Sequence, residues 1–522
     1  MAETGKSAAS QGSVQDAVFK LLDDPATHNG AAVRRYETHA AVVFLAGDRA
    51  LKVKRAVRYP FLDYSTLAKR EAACRAELDV NRKFAPQLYR RVVPITRGAD
   101  GLLALDGAGE TVEWAVEMTR FDEDKTLDRL AERDELDDAL AGKLAAAVAA
   151  MHARAEPAEA APWLDAVADF IRDNTAAFRA HGELFSATAI DELDRKSNAA
   201  FARVRPLLAA RGAAGLIRRG HGDLHLGNIA ILGGEPIAFD ALEFDPIIAE
   251  GDVLYDLAFL LMDLVERRLH RAANTVLNGY FTASRRDADC DGIAALPFFM
   301  SLRAAIRAKV TAARRDLGAA GSGDALAQSA KRYFDLALEL LAPAKPMIVC
   351  TGGLSGTGKS VLARGLAPLL APSPGALVLR SDVERKARFR IAETDRLPAE
   401  AYRSEITDEI YRSLTDKAVR IARAGRSVIV DAVFGLPGER AAIATAAGAA
   451  GVGFRGLFLT ADLPTRVARV GARGPDASDA DAAVARKQED FDIGPLTWTG
   501  IDASRSPEAT LAAAHAALNI PA

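Results

Sequence analysis

Gly353-Leu354-Ser355-Gly356-Thr357-Gly358-Lys359-Ser360 is the stretch on which the reading of the chain turns. It fits G-x-x-x-x-G-K-[ST] at every fixed position. Met347-Ile348-Val349-Cys350-Thr351 runs into it as an apolar strand, and Val361, Leu362, Leu366, Leu369 and Leu370 mark a helix leaving it. Glycines at these places let the backbone curl so that successive N–H groups face one anion. The helix that follows adds the partial positive charge of its N-terminus. Gly353, Ser355, Gly356, Thr357 and Gly358 are therefore expected to cradle the phosphates of a nucleotide. Lys359 would sit on the β- and γ-phosphates and the Ser360 hydroxyl on magnesium. A glycine-rich turn with a surface lysine is the plainer alternative, but it leaves the flanking strand and helix unexplained.

Beyond the loop, apolar strands at Ala376 to Leu379, Ser427 to Val430 and Phe454 to Leu459 alternate with helical stretches. Connections of that length suit crossover helices, so a parallel α/β sheet is expected. Asp382 follows the second strand and Asp431 ends the third. Strand carboxyl ends in such a sheet converge beside the first loop, although either acid also suits a helix N-cap. Arg466, Arg469 and Arg473 fall at i, i+3 and i+7 on one helix face, which is equally the pattern of a solvated stripe. This half resembles the P-loop kinases of small molecules and polynucleotides, a group that includes gluconate kinase-like enzymes, polynucleotide 5′-kinases and zeta-toxin-like kinases. The resemblance implies that Asp382 takes the acceptor hydroxyl's proton, that Arg385 orients the acceptor and that Asp431 holds magnesium through water. It also implies a lid whose guanidinium groups, Arg469 and Arg473 foremost, cover the transferring phosphoryl.

Leu341-Ala342-Pro343-Ala344-Lys345-Pro346 sets this half apart, since its prolines stop a helix just before a new strand. Upstream, Ala41 to Leu45, a Gly47-Asp48 turn and Ala50 to Lys54 read as strand, turn and strand. A helix from about Ser65 to Phe84 follows, then strands at Val92 to Ile95, Leu102 to Leu105 and Val112 to Val116. From Leu127 to about Leu341 the pattern is helical, broken by a hairpin of Ile229 to Leu232 and Pro236 to Phe239. Before that hairpin stands His221-Gly222-Asp223-Leu224-His225-Leu226-Gly227-Asn228, and after it Phe239-Asp240. Kinase catalytic loops place Asn five positions after Asp in this way. Phosphoryl transfer needs an acceptor whose proton is received, which suits Asp223. It also needs metal against the β/γ oxygens, which suits Asn228 and Asp240.

The His-Gly-Asp form with a later Gly-Asn resembles the aminoglycoside and choline phosphotransferase families. The resemblance implies a bilobal, protein-kinase-like α+β fold. It places Lys52 of Ala50-Leu51-Lys52 on the α/β-phosphates, Glu77 as its ion-pair partner, and Glu117-Met118 as the hinge whose backbone meets adenine. Lys54 shares the strand face of Lys52. His221 and His225 are expected to support the loop, and Asp252 and Asp256 to cap and brace it. No G-x-G-x-x-G stands in the first strands, a departure from protein kinases more than from these phosphotransferases. The two-part layout resembles bacterial proteins in which an aminoglycoside-phosphotransferase-like domain is joined to a P-loop kinase.

At 522 residues the chain needs more than one core. The expected order is a flexible segment over 1–30, a phosphotransferase-like domain over 31–342 and a P-loop domain over 343–522. That is an α+β kinase-like bilobal domain followed by an α/β P-loop NTPase. Lys+Arg total 67 against Asp+Glu 70, a net charge of -3, so no overall basic field draws the chain to long nucleic acid or an anionic membrane. Cys74, Cys290 and Cys350 lie far apart and read as buried, reduced thiols. No apolar h-region opens the sequence, and the run from Leu257 to Leu264 is too short to span a bilayer, so a cytoplasmic protein is expected. The leading expectation is a bifunctional phosphotransferase using ATP and Mg2+, with small-molecule hydroxyls as acceptors. One alternative is a toxin-like polynucleotide or nucleotide-sugar kinase in the P-loop half. Another makes one half a nucleotide-sensing regulator.

Overall fold

The computed structural model describes residues 14–519 apart from 39, 60, 61, 244, 317–322, 473 and 475, and its packing divides the chain into two units. The first comprises Met1–Leu136, Ala155–Ala158 and Ile217–Gly251, and the second Asp137–Arg154, Glu159–Leu216 and Asp252–Ala522. Of the segment 1–30, residues 1–13 lie outside the described residues, while 14–23 form a helix (α1). The ordered chain thus begins before residue 31.

In the first unit, Gly47 takes a φ of +57° to turn β2 (Ala41–Ala46) back as β3 (Arg49–Lys54). With β1 (Val33–Glu37), β4 (Tyr89–Arg97), β5 (Leu103–Leu105) and β6 (Glu110–Thr119), they form an antiparallel sheet in the order β1-β2-β3-β6-β4-β5. Val18, Phe19 and Leu22 of α1 pack with Val42, Phe44, Leu51, Val53, Val93, Ile95 and Ala115. Each fully buried Val, Leu or Phe of this kind contributes about 1.5–3 kcal/mol. Helix α2 (Leu67–Phe84) is capped by the Thr66 hydroxyl and buries Cys74, Glu77 and Asn81. A short hairpin, β7 (Ile229–Leu232) and β8 (Glu235–Ala238), carries the second functional segment. Strand β1 escaped the sequence reading because Arg34, Arg35 and Glu37 make it a charged edge without apolar alternation.

The second unit begins with helices at Asp138–Arg154, Ala160–Ala180 and Ala187–Ala213, followed by α3 (Val253–Glu266) and α4 (His270–Ser284), then Leu296–Asp316 and Gly323–Leu340. Helix α3 is buried almost all round, which accounts for the apolar run of Leu257 to Leu264. Among the described residues no helix is long and apolar enough to cross a membrane. Asp252 caps α3 by accepting from Leu254 N at 2.9 Å and pairs with Arg211 Nε at 2.6 Å. Asp256 meets His152 Nε2 at 3.1 Å. Asp252 thus caps α3 and ties it to Arg211, and Asp256 ties it to His152.

The same unit holds a parallel sheet of β9 (Met347–Gly353), β10 (Leu377–Arg380), β11 (Val428–Asp431), β12 (Gly453–Thr460) and β13 (Thr499–Asp502). Its order is β10-β11-β9-β12-β13, with every pair parallel. Strand β9 is central, so its loop leaves from the middle of the sheet, with Asp431 in register with Thr351 and Arg380 with Asp431. Strand β13 was not foreseen, because only Ile501 of its residues is buried. Helix α4 covers the outer edge of β10. Val378 N donates to Asn278 Oδ1 at 2.7 Å, and the Asn278 and Asn274 amides donate to Ala376 O at 3.1 and 3.0 Å. Replacing Asn278 by Ala leaves a part-buried strand N–H without this partner. It should cost about 1–3 kcal/mol, read as a downward shift of this unit's unfolding transition by calorimetry.

Candidate active sites

Lys52 and Lys54 stand two positions apart on β3 and leave the same face. Glu77, fully buried on α2, takes both, with Lys52 Nζ 2.9 Å from Oε1 and Lys54 Nζ 2.5 Å from Oε2. Lys52 also reaches Asp240 Oδ1 at 2.6 Å. Lys54 reaches Glu243 Oε1 at 2.6 Å, where the Tyr64 hydroxyl donates as well. Burial opposes the charges of Glu77, Lys52 and Lys54. The ammonium groups of Lys52 and Lys54 nevertheless hold Glu77 well below the usual carboxylate range, and Asp240 and Glu77 hold Lys52 above its ordinary value.

The catalytic-loop stretch is positioned by its first two residues. His221 is buried, bonds Phe239 O through Nε2 at 2.9 Å and packs on the Phe84 ring. Gly222 has φ +82°, and a Cβ there would meet Ala249 Cα at 3.0 Å. Asp223 Oδ2 accepts from Asn228 Nδ2 at 3.0 Å, with His225 Nε2 3.5 Å away. Asn228 O accepts from Phe239 N at 2.9 Å, tying this loop to the segment bearing Asp240. Asp240 itself sits in the left-handed region at φ +62°. Such a conformation is costly without glycine. It is held by Asp240 N donating to the Tyr89 hydroxyl at 3.1 Å and Ala241 N donating to Asn81 Oδ1 at 2.8 Å.

The donor set fits magnesium. Asp240 offers a half-exposed hard oxygen, and Asn228 commits its amide nitrogen to Asp223, leaving its oxygen as the ligating atom. One sequence expectation shifts. β6 continues to Thr119 instead of ending at Val116, so Met118 lies inside the sheet, opposite Ala50 and Tyr89. The strand exit falls at Arg120. Met118 packs against the buried cluster of Cys74, Ala85, Leu88, Tyr89 and Val116, as do Phe121, Leu232, Ile237 and Phe239, an apolar patch suited to a flat ring. Glu117 pairs with Arg91 at 3.0 Å.

In the second unit the loop after β9 closes as its glycines require. Gly353, Gly356 and Gly358 have φ of +139°, +86° and +95°, and a Cβ on Gly356 would lie 2.5 Å from Arg466 O. Lys359, the first residue of α5 (Lys359–Leu366), donates to Leu354 O at 3.1 Å. Ser360 Oγ donates to Asp431 Oδ2 at 2.6 Å. A hydroxyl and a carboxylate meeting at one point beside a glycine cradle fit a magnesium-held phosphate. Gln488, which the sequence did not single out, accepts from Ser355 N at 2.7 Å.

Asp382 lies in the first turn of α6 (Ser381–Arg388), where Arg380 and not Asp382 is the N-cap residue. Burial pushes its carboxyl above the usual range, with Asp431 adding to the effect against Arg380. A cavity of about 980 Å³ joins the loop to Asp382, Arg385, Tyr402, Thr407 and Glu439. Arg385 lines it while bonding Ala401 O and stacking on Tyr402. The arginine stripe divides. Arg466, on α8 (Leu463–Gly471), is buried and bonds Ser355 O, Ala485 O and Glu489, so it ties helix to loop. Arg469 borders the cavity and donates to Arg505 O at 2.9 Å. Arg473 lies outside the described residues.

Residues 43–290 match the model of the phosphotransferase enzyme family, and residues 348–491 match that of an AAA domain. Uncharacterized proteins of Mycobacterium tuberculosis and Mycobacterium bovis are 31% identical over 470 residues, covering 88% of this chain and 90% of each relative. A solved choline/ethanolamine kinase family protein from Mesorhizobium loti is 15% identical, covers 63% of this chain and 99% of its own, and has a TM-score of 0.37. The APS kinase of Mycobacterium tuberculosis, solved with AMPPNP and APS, is 23% identical over 34% of this chain and 99% of its own, with a TM-score of 0.27. The class is a kinase-type phosphotransferase with two kinase-like domains. The chain belongs to the family of those mycobacterial relatives, in which a phosphotransferase-family domain is joined to an AAA-type P-loop domain.

Glu77→Ala removes the buried carboxylate that Lys52 and Lys54 share, leaving them Asp240 and Glu243 alone, and should cost up to about 3–5 kcal/mol, measured as a lowered unfolding transition of the first unit. Gly356→Ala must displace Arg466 and strain its own backbone. Binding of a fluorescent ATP analogue by a chain already carrying Lys52→Ala should then fall to background.

Proposed function

We propose that the chain is a bifunctional, magnesium-dependent phosphotransferase of the cytoplasm, in which each half passes the γ-phosphoryl of ATP to a hydroxyl of a small-molecule acceptor. One observation supports this: each unit has a lysine and a magnesium-type oxygen pair in company with an acidic side chain. Lys52, Asp240 and Asn228 accompany Asp223, and Lys359, Ser360 and Asp431 accompany Asp382. The functional boundaries proposed are 31–342 and 343–522.

Bound ATP supplies the phosphoryl group, and magnesium neutralises its oxygens. The remaining work falls to the chain. In the first half Lys52 holds the α/β-phosphates, Asn228 and Asp240 hold the cation, and Asp223 aligns the acceptor and receives its proton. In the second, the loop N–H groups and Lys359 hold the phosphates while Ser360 and Asp431 hold the cation. Asp382 there receives the proton, Arg385 borders the acceptor, and Arg469 approaches from the lid side. Acceptor and phosphate brought into line are worth several kcal/mol of barrier before any bond changes. The cavity of about 980 Å³, with walls of both signs, supports a compact hydroxylated acceptor over a polymer.

The test is a metabolite-library screen with γ-labelled ATP on the wild type, Asp223→Ala and Lys359→Ala. Loss of one labelled product by about 10²–10⁴-fold in each variant, with the other product kept, is the expected result. ATP consumption with no labelled acceptor would contradict it. For the P-loop product, measured in an Asp223→Ala background, Asp382 works only as the carboxylate. Its rate should therefore drop as pH falls through the raised pKa, with the inflection above that of an ordinary aspartate.

A further inference from the structure

Arg380 is the last residue of β10 and stands in register with Asp431. Its guanidinium lies on the residues that would hold the metal. Nη2 is 3.3 Å from Ser360 Oγ, Nε is 3.3 Å from Asp431 Oδ2, and Nη1 is 2.8 Å from Asp476 Oδ1. The side chain is only 15% exposed. Burial works against its charge, but Asp431, Asp476 and Asp382 keep it fully cationic.

Two features set it apart from a plain structural tie. Nε is near Asp431 yet not aligned on it, and it is a buried donor without a hydrogen bond among the described residues. Buried donors are costly to leave unmade, so this one points to an anion that completes it. Three other arginines around the loop are committed elsewhere. Arg466 is held by Ser355 O, Ala485 O and Glu489, Arg385 by Ala401 O, and Arg469 by Arg505 O.

We propose that Arg380 is a catalytic residue of the P-loop site, a built-in cation that rests on Ser360 and Asp431 and turns onto the transferring phosphoryl when magnesium and nucleotide bind. This rests on the kinase reading of that half. Ser360 and Asp431 would hold the metal, and because two cations cannot share Asp431 closely without repulsion, the guanidinium would then give up that carboxylate. Asp476 tethers it, which keeps the movement local. Its planar fork then matches two phosphoryl oxygens. As transfer proceeds, the acceptor oxygen bonds to the γ-phosphorus and the bond to the β,γ-bridging oxygen breaks. The electron pair leaves on ADP and the acceptor proton passes to Asp382. Arg380 exchanges no atoms and stabilises only the charge on the equatorial oxygens.

The experiment uses the full chain with Asp240→Asn to silence the other metal set, and compares Arg380 with Arg380→Gln and Arg380→Lys. Mn2+ is titrated without nucleotide by electron paramagnetic resonance, and labelled phosphoryl transfer from ATP is measured in single turnover. Arg380→Gln should bind Mn2+ about tenfold more tightly, since a neighbouring positive charge is gone, while transfer falls about 10²–10³-fold. Arg380→Lys should recover part of the rate and the weaker Mn2+ binding. Unchanged Mn2+ affinity, weakened Mn2+ binding, or unchanged transfer in Arg380→Gln overturns the proposal. Lys359→Ala separates the two levels. If it too leaves nucleotide binding and transfer intact, the kinase reading of this half fails. If it abolishes them while Arg380→Gln does not, only the role of Arg380 fails.

Discussion

Charge buried beyond the reach of water has to be matched on the spot, and Glu77 is where the first unit meets that demand. With no solvent exposure, it accepts Lys52 and Lys54 together, and those lysines extend the pairing to Asp240 and Glu243. Strand β3, helix α2 and the segment after β8 are thus joined through ionised groups. A buried pair of this kind adds little net stability but makes the wrong arrangement expensive. The count is suggestive: two ammonium groups face three carboxylates. The P-loop site has the same imbalance, with Lys359 and Arg380 among Asp382, Asp431 and Asp476. Each cluster is one positive charge short, and a divalent cation would turn that into an excess of one facing the nucleotide's phosphates.

Much of this was legible in the chain because it depends on backbone conformation. The glycines of 353–360 and Gly222 adopt φ values that other residues rarely reach, so their spacing announces the turns. The lysine pair on β3 and the Asp-to-Asn offset in the catalytic loop could be read for the same reason of fixed periodicity. What stayed hidden depends on contacts between distant segments. Arg466, Arg469 and Arg473 look alike as a stripe, yet Arg466 is enclosed because the Ser355 and Ala485 carbonyls happen to meet it. Arg380 reads as an ordinary basic residue at a strand end until β11 sets Asp431 beside it. Met118 was expected at a hinge just after Val116, but the length of β6 follows from pairing on both sides, which no local pattern records.

The phosphate loop is supported from outside itself. Arg466 grips one of its carbonyls, Gln488 of the segment after α9 (Ala482–Lys487) takes one of its N–H groups, and Gly356 lies against the Arg466 backbone. Loop, α8 and the 482–490 segment are therefore held together by these contacts.

The side-chain amides of Asn274 and Asn278 carry a consequence for how such a fusion is inherited. They come from sequence matching the phosphotransferase family, yet they complete the hydrogen bonding of a strand that belongs to the AAA match. A gene cut at the proline-rich linker would release a sheet with a bare margin, open to pairing with any extended stranger. The two halves are therefore not interchangeable cassettes: evolution can trade one only along with the helix that seals the other.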